Sequence, residues 1–133
     1  MISEHAALIY TMVLVSASDR DMTDSELKVI GTNVTSLPCF RGFDAAELPG
    51  ITEDCAQLLD KEDGLGRALD LIRAALPTKL RETAYALACD VAVADGRVGQ
   101  EELRMLEMVR HRLDVDRLTA AAIERGAKAR ACA

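Results

Sequence analysis

Hydrophobic and polar positions fall into the same order twice along this chain. Residues 91 to 109, VAVADGRVGQEELRMLEMV, run apolar into an Asp-Gly turn and then resume an apolar repeat of three to four; residues 13 to 30, VLVSASDRDMTDSELKVI, do much the same. An offset of 76 lays Asp19 on Asp95, Glu26 on Glu102 and Leu27 on Leu103. Each copy therefore predicts an apolar helix, a turn opened by Asp, and a second helix with Glu in its first turn.

The remaining elements follow from the same periodicity and its punctuation. Ser3 is placed to cap a first helix running to about residue 18, with Leu8, Met12 and Val15 on one stripe. Thr23-Asp24-Ser25-Glu26 has the form of a capping box, in which hydroxyl and carboxylate satisfy each other's free N–H groups. The helix it starts, residues 24–36, is expected to bury Leu27, Ile30 and Val34, and Pro38 ends it by removing a backbone donor. Beyond residues 37–43, Asp44 and Glu47 read as another box. Pro49-Gly50 then predicts a kink, or a short turn that restarts near Thr52 and continues to about Lys61 with Cys55, Leu58 and Leu59 inward. Asp63-Gly64 punctuates a helix over residues 65–76 with Leu69, Ile72 and Leu76 inward, stopped by Pro77. Thr78 is a cap for residues 79–94, where Leu80, Ala84, Leu87, Ala88 and Val91 share a side. Residues 100–113 carry Leu103, Leu106, Val109 and Leu113 on a stripe widened by Met105 and Met108, and Asp116 caps a last helix through Leu118 and Ile123. No stretch alternates with period two over a strand's length, and no linker is long enough to divide the chain. The prediction is one all-α domain over residues 1–133 with about seven helices. Its repeat units lie near 3–36 and 79–113, with middle helices within 44–76 and a C-terminal helix near 116–130.

Composition narrows the picture. A chain of 133 residues hides roughly 70% of its unfolded surface on folding, enough for one core. Half of the residues are apolar but only Tyr10, Phe40, Phe43 and Tyr85 are aromatic, so that core is aliphatic and favours helices. Sixteen Lys and Arg against 22 Asp and Glu leave a net charge of −6, which weighs against nucleic acid as a partner and suits metal cations or basic protein surfaces. Cys39, Cys55, Cys89 and Cys132 show no CxxC or Cys/His spacing, predicting reduced thiols and a cytoplasmic setting. Residues 7–18 imitate the core of a signal peptide, but Ser3, Glu4 and His5 supply no positive region before it and the run is too short to span a bilayer. Its counterpart at residues 82–94 lies mid-chain, so both are expected to be buried helices. Partners are expected to be proteins, with no direct membrane insertion and membrane association only through a partner complex. Arg104, Arg110, Arg112, Arg117, Arg125, Lys128 and Arg130 make the C-terminal third basic, most simply a solvated face and alternatively an interaction surface.

With those residues in view, VAVADGRVGQEELRMLEMV resembles the signature of the TerB-like family, in which an apolar helix ends in A-D-G and is followed by a short cap, a Glu and another apolar helix. VSASDRDMTDSELKVI is similar to the first half of the same pattern, and residues 44–77, with their Asp-Gly and the following LPTKLRETAYALA, resemble the family's middle helices. The resemblance covers essentially the whole chain. It implies a compact all-α domain of helical hairpins, a cytoplasmic location, a link to tellurite or general chemical stress, and acidic residues that bind a metal, without an established enzymatic activity. Two positions depart from the pattern: Ser18-Asp19-Arg20 stands where A-D-G would be, and Gly99 stands where Ser or Thr would cap.

The sharpest chemical expectation is a divalent cation held by Asp19, Glu26, Asp95 and Glu102, should the two hairpins pack with their turns adjacent. Four oxygen donors of like charge suit Ca²⁺, Mg²⁺ or Mn²⁺ better than Zn²⁺, with Asp21, Asp24, Asp90 and Glu101 as auxiliary candidates. The competing expectation needs no ion: each Asp closes a turn and each Glu caps a helix. An EF-hand is excluded, because a loop opened by Asp19 would place Asp24 where Gly is required and Ile30 where a bidentate Glu is required. His5 and His111 stand alone, and no nucleophile elbow or phosphate-binding loop is present. The expected function is a non-enzymatic metal-binding or protein-interaction module; the alternatives are a metal-independent helical interaction domain and, further off, a metal-dependent hydrolase using the acidic turns.

Overall fold

A helix without a charged residue along most of its length has no face to offer water, and this chain begins with one. In the computed structural model, which describes residues 1–18 and 22–131, α1 (Glu4–Ala17) is buried on every side from Ala6 to Ser16. Ser3 caps it, its hydroxyl accepting the Ala6 N–H at 3.0 Å. The expected stripe of Leu8, Met12 and Val15 is thus one side of a helix enclosed all round; Ile9, Val13 and Leu14 are as buried as the stripe itself. Thr11 sits inside it without penalty because its hydroxyl donates to the Ala7 carbonyl at 2.8 Å.

Six further α-helices wrap this one: α2 (Asp24–Ser36), α3 (Leu48–Leu59), α4 (Gly64–Ala75), α5 (Thr78–Ala92), α6 (Gln100–Arg112) and α7 (Arg117–Ala131). There is no strand among the described residues. The broadest packing is α1 on α5, the first helices of the two predicted repeats; α2, α3, α4 and α6 also touch α1, while α7 packs on α5. Two contacts tie α7 down: the Tyr85 hydroxyl donates to Glu124 Oε2 at 2.6 Å, and Arg130 meets Asp90 at 3.0 Å. The His5 ring packs on both Phe40 and Phe43, at centroid distances of 5.7 and 5.3 Å, and those two rings meet at 5.9 Å, fixing the start of α1 to the linker after α2.

Several boundaries and stripes differ from expectation, for identifiable reasons. Glu47 does not close a capping box. Asp44 Oδ1 accepts only the Ala46 N–H, at 3.0 Å, and caps a single 3₁₀ turn, Ala45–Glu47. Pro49-Gly50 neither kinks nor delays the following helix: Pro49 falls in the first turn of α3, where its missing N–H would have had no intrahelical partner. Thr78 is the first residue of α5, not its cap. Leu27 and Leu103, both expected inward, are 45% and 54% exposed. On α2 the inward line is Glu26, Ile30 and Val34, spaced by four, and on α6 it is Glu102, Leu106 and Val109, so each leucine is rotated about 100° from the face assigned to it.

The turn into α4 rests on backbone closeness. Asp63 takes a left-handed conformation (φ 56°), and a Cβ on Gly64 would stand 2.0 Å from the Leu58 carbonyl oxygen. Gly64→Ala should therefore lower stability by at least ~1–3 kcal/mol, the usual cost of overpacking. Gly50→Ala, whose Cβ would meet nothing within 4 Å inside α3, should be neutral or gain up to about 1 kcal/mol. Denaturant melts of the two variants, read against the parent, check both expectations.

Candidate functional site

The two acidic turns have matching construction. The offset of 76 superimposes α2 on α6 from first residue to last, and it carries Thr23 to Gly99 and Glu26 to Glu102. At the first turn Thr23 and Glu26 form the complete capping box: the Glu26 N–H donates to Thr23 Oγ1 at 3.2 Å, and the Thr23 N–H donates to Glu26 Oε1 at 3.1 Å. At the second, the Gly99 N–H donates to Glu102 Oε1 at 3.2 Å, and glycine has no hydroxyl to return the bond. Asp95 closes its own turn, its Oδ1 accepting the Arg97 N–H at 3.0 Å beside Gly96 at φ 80°. Asp19, Arg20 and Asp21, which include the first turn's aspartates, lie outside the described residues.

What separates these glutamates from ordinary helix caps is depth. Glu26 is 1% exposed and Glu102 is 3% exposed, and with Thr11 and Ser16 they make up the buried polar residues among those described. A buried carboxylate is tolerated where donors surround it. Glu26 Oε1 has two, because the Ser16 hydroxyl at the end of α1 donates to it at 2.9 Å in addition to the Thr23 backbone. Glu26 Oε2 is equally buried and has no hydrogen-bond partner among the described residues. Leaving one such oxygen unsatisfied costs about 1–3 kcal/mol, which makes the position unusual for a side chain whose only task is to close a turn. The second unit lacks the matching hydroxyl: Ser16 corresponds to Ala92, so the two glutamates have different surroundings.

Of the four residues expected to share a cation, Glu26 and Glu102 are inside the molecule, Asp95 is exposed on its turn, and Asp19 lies outside the described residues. No three His, Cys, Asp or Glu side chains are grouped closely enough to hold a metal ion among the described residues. The auxiliary candidates are dispersed. Asp24 and Glu101 are exposed in the first turns of α2 and α6, and Asp90 is paired with Arg130. The donor chemistry at Glu26 is carboxylate and hydroxyl oxygen, which fits a hard divalent ion and not zinc. Sequence reasoning did not find Ser16 or the burial of the glutamates. The available signal was the spacing Glu26, Ile30, Val34, which puts the acid on the inward line.

The thiols offer no competing chemistry. Burial pushes Cys55 and Cys89 up to about 12, and it also raises the half-buried Cys39. At neutral pH all three are held as thiols, which are poor nucleophiles. Because the unfolded chain ionises these groups near 9, their contribution to stability is complete below pH 9 and is lost as pH rises toward 12. Peptide-resolved iodoacetamide labelling at pH 8 should leave Cys55 and Cys89 unmodified until denaturant unfolds the chain. For the caps, Thr23→Ala should cost about 1 kcal/mol and Gly99→Ser should gain a few tenths, since a serine there completes the second box. Chemical denaturation of both variants measures the difference.

Comparison with known proteins adds one match: the family model described as tellurite resistance protein TerB aligns with residues 5–125. No curated protein and no solved structure matches the chain. The aligned span takes in both acidic turns and reaches into α7, and the all-helical fold agrees with it, so this chain belongs to the TerB family.

Proposed function

We propose that this TerB-family domain is a non-enzymatic cytoplasmic module of a tellurite or chemical-stress response that binds a divalent cation at its acidic turns. The observation that carries the reading is the second oxygen of Glu26, buried beside a helix start with no hydrogen-bond partner among the described residues. A cation there would supply the missing electrostatic partner without disturbing Oε1, which already serves the cap. Glu26 is the donor on which the reading rests, because Glu26, Asp95 and Glu102 are not grouped closely enough to hold one ion together. Oxygen donors favour Mg²⁺, Mn²⁺ or Ca²⁺ over Zn²⁺.

A binding role is favoured over a metal-dependent hydrolase by the placement of the clefts. Those between α4 and α6, among α5, α6 and α7, and beside the turn at Pro38–Phe40 have none of Glu26, Asp95 or Glu102 in their walls. A hydrolase would need its acid residues to face a substrate space. A second reading, a metal-independent interaction domain, is favoured by Leu27 and Leu103. These occupy equivalent positions of the two units and are 45% and 54% exposed, so each unit offers one leucine to a protein partner. No helix among the described residues is long and apolar enough to cross a membrane.

Thermal melts with and without Mg²⁺, Mn²⁺, Ca²⁺ and Zn²⁺ separate the readings. A cation that binds only the folded chain should stabilise it by about 2.7 kcal/mol at a hundredfold excess over its Kd. Glu26→Gln keeps an oxygen for Thr23 and Ser16 while removing the charge, so it should abolish the metal-dependent rise and largely spare the metal-free midpoint. A parent protein whose midpoint is indifferent to all four ions would leave the metal-independent reading.

A further inference from the structure

Away from the acidic turns, a cleft of about 760 Å³ separates α6 from α7, with α5 as its floor. Its origin is in the sequence. Both α6 and α7 pack on α5, and the side that α7 turns to the cleft carries Ala120, Ala121 and Ala127, side chains too short to close the space to α6. The floor is apolar: Tyr85 is 2% exposed and Leu106 is 7% exposed, while Leu103 stands on the rim at 54%. The volume lies in the range of about 300–1,000 Å³ that takes small ligands.

Charge at this cleft departs from that of the chain as a whole. Arg110, Arg117 and Lys128 all line it, and none is in an ion pair with a described residue; Arg110 is held by the His111 ring nitrogen at 2.9 Å and the Val115 carbonyl at 3.5 Å, while Arg117 and Lys128 are exposed. The other arginines near the end of α6 and of α7 are spoken for: Arg112 pairs with Asp70 and Arg130 with Asp90. Two carboxylates, Glu107 and Glu124, share the wall, and Glu124 is engaged by the Tyr85 hydroxyl at 2.6 Å. Three cations outside ion pairs with described residues thus face two acids on a molecule of net charge −6, beside a trough whose exposed apolar surface is that of Leu103 and Ala121.

We propose that this cleft binds an amphipathic anion, namely a free long-chain carboxylate whose apolar chain lies over α5 against Leu103 and Leu106 and whose head is held by Arg110, Arg117 and Lys128. The apolar part gains by displacing water from Leu103 and Ala121, the exposed apolar side chains of the lining. The head gains charge-assisted hydrogen bonds from Arg117 and Lys128, which otherwise face solvent, and charge from Arg110 behind them. A neutral or cationic amphiphile of equal length would have the first contribution and not the second.

Titration of the full chain with dodecanoate, dodecanol and dodecyltrimethylammonium, all below their micelle concentrations and followed by amide NMR, tests this. Dodecanoate should give saturable shifts confined to α5, α6 and α7, and the other two should bind at least about tenfold more weakly. Arg117→Glu with Lys128→Glu, both on exposed positions, should weaken dodecanoate by about tenfold, equivalent to ~1.4 kcal/mol. Leu103→Asp should abolish binding. Glu26→Gln should bind dodecanoate as the parent does, which keeps this result separate from that at the acidic turns. Equal affinity for the three amphiphiles, shifts spread over the whole surface, or no saturable binding would overturn the assignment.

Discussion

The structure depends on hiding α1. Each large aliphatic side chain removed from water contributes about 1.5–3 kcal/mol, and Leu8, Ile9, Met12, Val13, Leu14 and Val15 are all at or below 1% exposure on a single helix. Since those residues point in every direction around the axis, no single partner helix can cover them. α5 covers the largest single share, and α2, α3, α4 and α6 together cover more. The arrangement of the middle helices, including the tight entry to α4 at Gly64, follows from this need to enclose a helix that is apolar all round.

Much of this was legible in the chain because helix ends are chemically explicit. Ser3, Thr23 with Glu26, and Asp116 each mark a helix start, and each does so in the structure: the Asp116 carboxylate accepts the Leu118 N–H at 2.9 Å at the head of α7. The residues α2 spans are those the sequence predicts. Where the reading failed, local rules had two outcomes. Pro49 can break a helix or open one, and only its distance from the true start decides which. Leu27 and Leu103 fall on the apolar stripes that helical spacing draws through Ile30 and Val34 and through Leu106 and Val109. The face of a helix is set by its whole line of contacts, however, and at both positions the neighbouring glutamate takes the buried place.

That exchange explains why the candidate site was only half readable. The repeat of Asp and Glu at matching positions was visible without coordinates, and so was the capping role of both glutamates. Depth was not, because periodicity counts apolar residues and passes over a buried acid. Ser16 was hidden for a related reason: a hydroxyl at the end of an apolar helix looks like a chain terminator until the helix is found to be enclosed. Asp95 behaved as an ordinary turn residue, with its carboxylate turned to its own backbone and to water. The two units thus share a backbone plan and differ in polarity, with Ser16 and Thr23 in one where Ala92 and Gly99 stand in the other.

The one-sided seating of α7 has a kinetic meaning. Because this helix leans on α5 and is fastened by Tyr85 with Glu124 and by Asp90 with Arg130, it can detach while the enclosure of α1 stays whole. Its amides would then exchange with deuterium by a sub-global opening, at a free energy below that of complete unfolding. Exchange at α7 would then report its own detachment from α5 and not the opening of the helices around α1.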